Sequence, residues 1–161
     1  MGSTQVIREI LTWQAFGEGA RELSRMVAED DYRPDIILAI ARGGLQIGGA
    51  VSYALQVKNV YVINVEYYTG VDERLEFPVL LPPPLNLVDL RDARVLVCDD
   101  VADTGHTLAM VRELCRDEVA DIRSAVLYEK PHSVVRSEYV WRRTDRWIDC
   151  PWSSRGALVV G

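Results

Sequence analysis

Four short apolar runs, at residues 36–40, 60–65, 95–98 and 125–128, constrain this chain more than any other feature. A strand with one wet face alternates apolar and polar side chains, whereas a strand covered on both faces is apolar almost throughout, so such runs point to a parallel sheet. Helical patterns lie between and before them. Residues 45–55 form one, and Leu108, Val111, Leu114 and Cys115 mark another. Trp13, Phe16, Ala20, Leu23 and Val27 recur at alternating three- and four-residue steps behind Thr12, a ready N-cap. The alternation predicts an α/β fold, one doubly wound parallel sheet in a single domain over residues 1–161, with no repeat or linker to divide it. A chain of that length can bury a core without disulfides or metal staples.

Two of the strands end in turns that carry chemistry. The run 95–98 is followed at once by Asp99 and Asp100, which puts both carboxylates at the strand's carboxyl end, where open α/β sheets bind ligands. Val101, Ala102 and Asp103 lead on to Thr104-Gly105-His106-Thr107, a flexible turn with two hydroxyls and the free N–H groups of a new helix. Such a turn suits a phosphate. A merely solvated acidic turn has no need of that spacing. Ala41-Arg42-Gly43-Gly44 ends the earlier run, where the glycines let backbone N–H groups approach an anion and Arg42 adds a bidentate donor.

The stretch from Arg94 to Thr107 closely resembles the phosphoribosyl-pyrophosphate signature of the type I phosphoribosyltransferases: an apolar strand, an acidic pair, two apolar residues, then Asp-Thr-Gly-x-Thr. The resemblance implies a sheet with a small base-binding hood, and transfer of a 5-phosphoribosyl group from phosphoribosyl pyrophosphate to a base. It implies pyrophosphate held at Ala41, Arg42 and Gly43, with a strained or cis peptide between Ala41 and Arg42. It also implies ribose hydroxyls at Asp99 and Asp100, with Mg²⁺ bridging them to the pyrophosphate, and the segment from Val101 to Thr107 wrapped around the ribose phosphate. Asp103 would act as general base or acid near N7 of a purine, the bland alternative being a helix cap.

Further along, Glu129-Lys130-Pro131 and Trp147-Ile148-Asp149-Cys150-Pro151-Trp152 resemble the base-binding elements of bacterial xanthine-guanine phosphoribosyltransferases. There Lys130 would donate to a 6-oxo group, Trp147 would stack on the ring, and the Ile148 carbonyl and Asp149 carboxylate would face the 2-position. Arg74 falls where those enzymes carry a loop arginine on the pyrophosphate. The chain departs from the pattern at Glu66-Tyr67-Tyr68-Thr69-Gly70, which lacks a serine pair, and at Asp149, where a longer Glu is usual. The implied activity is magnesium-dependent purine salvage, with guanine, xanthine or hypoxanthine as acceptor, in a cytoplasmic homo-oligomer, dimer or tetramer. Two alternatives stay open: a phosphoribosyl-pyrophosphate sensor of the same fold, and a transferase for a different base.

Charge and composition narrow the partners. A net charge of −6 argues against a nucleic-acid or anionic-membrane surface, since both need clustered cations. Cys98, Cys115 and Cys150 are odd in number without Cys-x-x-Cys spacing, which predicts reduced thiols in a reducing cytosol. No apolar run approaches the ~20 residues that span a bilayer. Residues 69–86 carry Pro78, Pro82, Pro83 and Pro84 and read as a long excursion of the kind used for mobile lids. The tail reads as short strands and turns, closing in a strand at 157–160.

Overall fold

The computed structural model of the chain describes residues 7–69, 76–82 and 84–159. Its elements run β1 (Arg8–Ile10), α1 (Trp13–Glu29), β2 (Ile36–Ala41), α2 (Gly44–Leu55), β3 (Val60–Thr69), β4 (Glu76–Leu80), a 3₁₀ turn (Leu87–Leu90), β5 (Arg94–Ala102), α3 (His106–Cys115), β6 (Asp121–Glu129), β7 (Tyr139–Arg143) and β8 (Trp147–Asp149). Six strands form the main sheet in the order β4-β3-β2-β5-β6-β7, and β1 and β8 form a separate two-stranded sheet. All pairings are parallel except that of β3 with β4. From β2 the chain first steps outward to β3, then returns to β5 on the other side. The order therefore reverses between β2 and β5, the kind of place where doubly wound sheets open a ligand crevice.

The apolar runs of β2, β5 and β6 are continuous because both faces are covered, whereas on β3 Val60 and Val62 stay exposed. Ile37, Leu96, Cys98, Ala125 and Leu127 pack on one side against Leu23 and Val27 of α1 and Ile47 and Val51 of α2. Their neighbours Ile36, Leu38, Ile40, Val95, Val97 and Val126 pack on the other, against Leu108, Val111 and Cys115 of α3. Thr12 caps α1 as its sequence position suggests, its Oγ1 accepting the Ala15 N–H at 3.1 Å. Among the described residues no helix is long and apolar enough to cross a membrane. The three cysteines are free and buried, and burial pushes the Cys115 thiol up to about 11 and the Cys150 thiol up to about 12.

Three expectations need correction. The 69–86 excursion is not all loop, because residues 76–80 form β4, with Pro78 opposite Tyr67. Proline is tolerated there because β4 is an edge strand with one side free of ladder bonds. Residues 157–159 lie in no strand. Finally, α3 begins at His106 rather than near Thr104, because its N-cap is Gly105 at φ 82°, a left-handed conformation that stops the helix extending backward.

Candidate active site

The carboxyl ends of β2, β5 and β6 are neighbours in one parallel sheet, so the turns that follow them converge on one edge. The peptide between Ala41 and Arg42 is cis, as the resemblance implies. Gly43 and Gly44 open α2 directly against β5. A Cβ on Gly43 would lie 2.1 Å from Oδ2 of Asp100, and one on Gly44 would lie 2.4 Å from the Cys98 carbonyl oxygen. The Arg-Gly-Gly turn and the acidic pair therefore form one surface at the reversal of strand order. The Arg42 side chain is exposed above it.

Asp99 is only 9% exposed. Burial lifts its carboxyl well above the ordinary carboxylate range, and the like charge of Asp100 adds to the shift. The pair is held by its own backbone: the Asp100 N–H donates to Asp99 Oδ1 at 2.9 Å and the Val101 N–H to Asp100 Oδ1 at 2.7 Å. Beyond the half-buried Val101 and the buried Ala102, the chain turns through Asp103, Thr104 and Gly105 into α3. Thr104 Oγ1 accepts the His106 N–H at 3.3 Å, and Thr107 is half-buried in the first turn. Asp103 is not the cap of α3, since Gly105 takes that position. Its carboxylate instead meets Nε2 of His132 at 2.6 Å.

The hood is the small sheet of β1 and β8. Trp13, Phe16 and Trp152 form an aromatic cluster beside it, with ring centroids 5.7–6.0 Å apart. Trp147, which pairs with Arg8, is 59% exposed, so its ring is no core plug and remains open for stacking. Ile148 is half-buried and packs on the core. The Asp149 carboxylate meets Arg8 at 3.0 Å, while its carbonyl accepts the Leu11 N–H, also at 3.0 Å. Lys130 is 7% exposed and already engaged: its backbone N–H donates to the Ala102 carbonyl at 2.9 Å, and its ammonium donates to the carbonyls of Asp145 and Arg146. Arg74 lies outside the described residues.

Sequence reasoning gave no role of their own to three side chains near this site. Arg8 reaches Asp149 across almost the whole chain length. Glu129, fully buried, accepts the Ser137 N–H at 2.8 Å and meets Arg136 at 3.2 Å and Arg143 at 3.4 Å. His132 was findable in principle, because turns that follow adjacent parallel strands must lie side by side.

A family model for the phosphoribosyl transferase domain matches residues 6–156. The chain belongs to this family. Within it, the chain is 31% identical over 153 residues to the xanthine-guanine phosphoribosyltransferase of Nitratidesulfovibrio vulgaris, covering 93% of this chain and 87% of that protein. It is 27% identical over 146 residues to the enzyme of the same name from Idiomarina loihiensis, covering 88% and 84%. The crystal structure of a purine phosphoribosyltransferase from Pyrococcus horikoshii Ot3 superposes with a TM-score of 0.81 at 34% identity, covering 95% of this chain and 99% of that one. This phosphoribosyltransferase thus shares its fold along nearly its whole length.

Proposed function

We propose that the protein transfers the 5-phosphoribosyl group of phosphoribosyl pyrophosphate to a 6-oxopurine, releasing pyrophosphate and a nucleoside 5′-monophosphate. The observation that carries this reading is the contact of Gly43 with the Asp100 carboxylate, which joins an anion-binding turn to a diol-binding acidic pair at one sheet edge. The purine assignment draws on the exposed Trp147 and on relatives whose names specify xanthine and guanine.

In this reading Ala41, Arg42 and Gly43 bind the pyrophosphate, joined by Arg74. Asp99 and Asp100 accept from the ribose hydroxyls, and the backbone and hydroxyls of residues 101–107 hold the 5′-phosphate. Trp147 stacks on the base, Lys130 has one remaining N–H for the 6-oxygen, and Ile148 and Asp149 edge the 2-position. The purine N9 bonds to C1′ as the C1′–O bond breaks and its electron pair leaves with the pyrophosphate. Asp103 takes the proton that the ring gives up. Arg42 stabilises the charge that develops on the departing anion.

The residues present fit a magnesium ion. Among the described residues no group of three or more potential ligands converges, but Asp99 and Asp100 set two hard oxygen donors together under mutual repulsion. Mg²⁺ is ordinarily held by one or two carboxylates plus substrate phosphates. When bound there it would neutralise the pyrophosphate as it departs.

We further place the enzyme in a reducing cytoplasm, consistent with three buried unpaired thiols, and as a homo-oligomer, whose second copy would cover exposed Tyr53, Val60 and Val62. Sedimentation measures the latter. The deciding assay offers a panel of purine and pyrimidine bases with phosphoribosyl pyrophosphate and reads pyrophosphate release. Turnover with 6-oxopurines is expected, and turnover with none of the bases would sink the reading.

A further inference from the structure

The turn after β6 lies across the phosphate-binding turn after β5 and is pinned to it. The Val134 N–H donates to the Thr104 carbonyl at 2.8 Å, and a Cβ on Gly105 would strike Ser133 Oγ at 2.4 Å. Upstream, Lys130 is tied to Ala102 through its backbone, and the Ser133 N–H closes back on the Lys130 carbonyl at 3.1 Å. The backbone carrying His132 is thus fixed on both sides, at residues 130 and 133–134, to the segment that carries Asp103. From this platform the imidazole Nε2 reaches Asp103 Oδ1 at 2.6 Å. Among the described residues no other group bonds the Asp103 carboxylate. Both side chains are 61% exposed, so the pair is open to solvent rather than packed in the core and adds little to folding.

An exposed aspartate on a turn samples several rotamers, and only some present an oxygen to a base bound under the hood. A single strong tie to a rigid neighbour removes that freedom. We propose that His132 is a positioning residue for Asp103, orienting its carboxylate toward the reacting purine ring by donating from Nε2–H to one oxygen and leaving the other free. The proposal rests on the purine transferase reading, with Asp103 as the acid or base.

The test compares wild type, His132→Ala, His132→Gln, Asp103→Asn and the double variant Asp103→Asn/His132→Ala in steady-state transfer to a 6-oxopurine, with melting temperatures in parallel. Glutamine carries an amide N–H at roughly the reach of Nε2. We expect His132→Ala to fold normally and lose kcat roughly 10- to 100-fold, the usual effect of freeing an oriented group. Its KM for phosphoribosyl pyrophosphate should stay within about twofold. His132→Gln should recover most of the loss. Asp103→Asn should lose about 10²–10⁴-fold, and the double variant no more, because groups acting as one unit are not additive. Wild-type kcat in His132→Ala, equal losses in the alanine and glutamine variants, or a double variant weaker than Asp103→Asn would each overturn the proposal. Absence of transfer by the wild type to any base would instead remove the functional reading beneath it.

Discussion

Gly43 and Gly44 are neighbours that meet different obstacles. A methyl on Gly43 strikes the tip of the Asp100 side chain, which can swing away, whereas one on Gly44 strikes the backbone carbonyl of Cys98, which cannot. Gly43 has φ −56°, so alanine is acceptable to its backbone. Gly43→Ala is therefore expected to keep its melting temperature within a few degrees but to lose binding of phosphoribosyl pyrophosphate, read by calorimetry. Gly44→Ala should instead be destabilised by about 1–3 kcal/mol, the usual cost of overpacking. If both variants bind and melt like the wild type, the close approach of α2 to β5 is wrong. At the base end, Trp147→Ala should raise the KM for the purine by roughly 1–3 kcal/mol of lost stacking without unfolding, since the ring is exposed. Lys130→Met should behave differently, raising that KM and lowering stability together, because the ammonium also ties down the 145–146 backbone. A Trp147→Ala protein that unfolds would return that side chain to a core role.

Among elements, the long strands were legible and the short ones were not. β2, β5 and β6 lie between two layers of helix, so burial writes itself into sequence as an unbroken apolar run. β4 has no such signature, because an edge strand accepts Pro78 and needs only one ladder. β1 and β8 are three residues each and exist through their mutual pairing, a relationship between chain ends that no local pattern can carry. The acidic and Arg-Gly-Gly turns were readable because their chemistry is local. His132 and Arg8 carry no such local signal, because each gains its meaning from a partner supplied by another element: Asp103 lies 29 residues from His132 and Asp149 lies 141 from Arg8.

For the whole molecule, ligand and proton binding both report on the folded state. With Asp99 and Asp100 already repelling each other and the chain carrying −6 overall, phosphoribosyl pyrophosphate and Mg²⁺ should each bind weakly alone and strongly together. At a hundredfold excess over Kd the joint stabilisation is ~2.7 kcal/mol, or roughly 5–10 °C in melting temperature for a domain of this size. Asp99→Asn/Asp100→Asn should abolish the joint effect. An equal shift with phosphoribosyl pyrophosphate in chelator would show that the acidic pair needs no cation. Acid should act through other carboxylates. The Arg94 side chain and backbone N–H hold Asp35 below the ordinary range; at Glu138 burial pushes upward, but Arg112 and the Ser124 N–H outweigh it and hold the carboxyl low. A carboxyl whose folded pKa is depressed contributes stability above its unfolded value of about 4, and that contribution is lost as pH falls through the folded value. Urea midpoints should therefore be insensitive to these groups near neutrality and drop below about pH 4. Asp35→Asn/Glu138→Gln should flatten that acid limb, and an unchanged limb would clear both groups of the effect.

Lys130 spans the molecule in a way that bears on fidelity. Its main chain is fastened to the end of β5 and its ammonium to the backbone just before β8, so a single four-carbon stem works as a caliper between what the proposed function makes the sugar half of the cleft and the base half. The length of that stem limits the gap between its jaws. A ring of the wrong breadth would arrive with its nitrogen out of line with the anomeric carbon, and selectivity would come from misalignment as much as from any missing hydrogen bond.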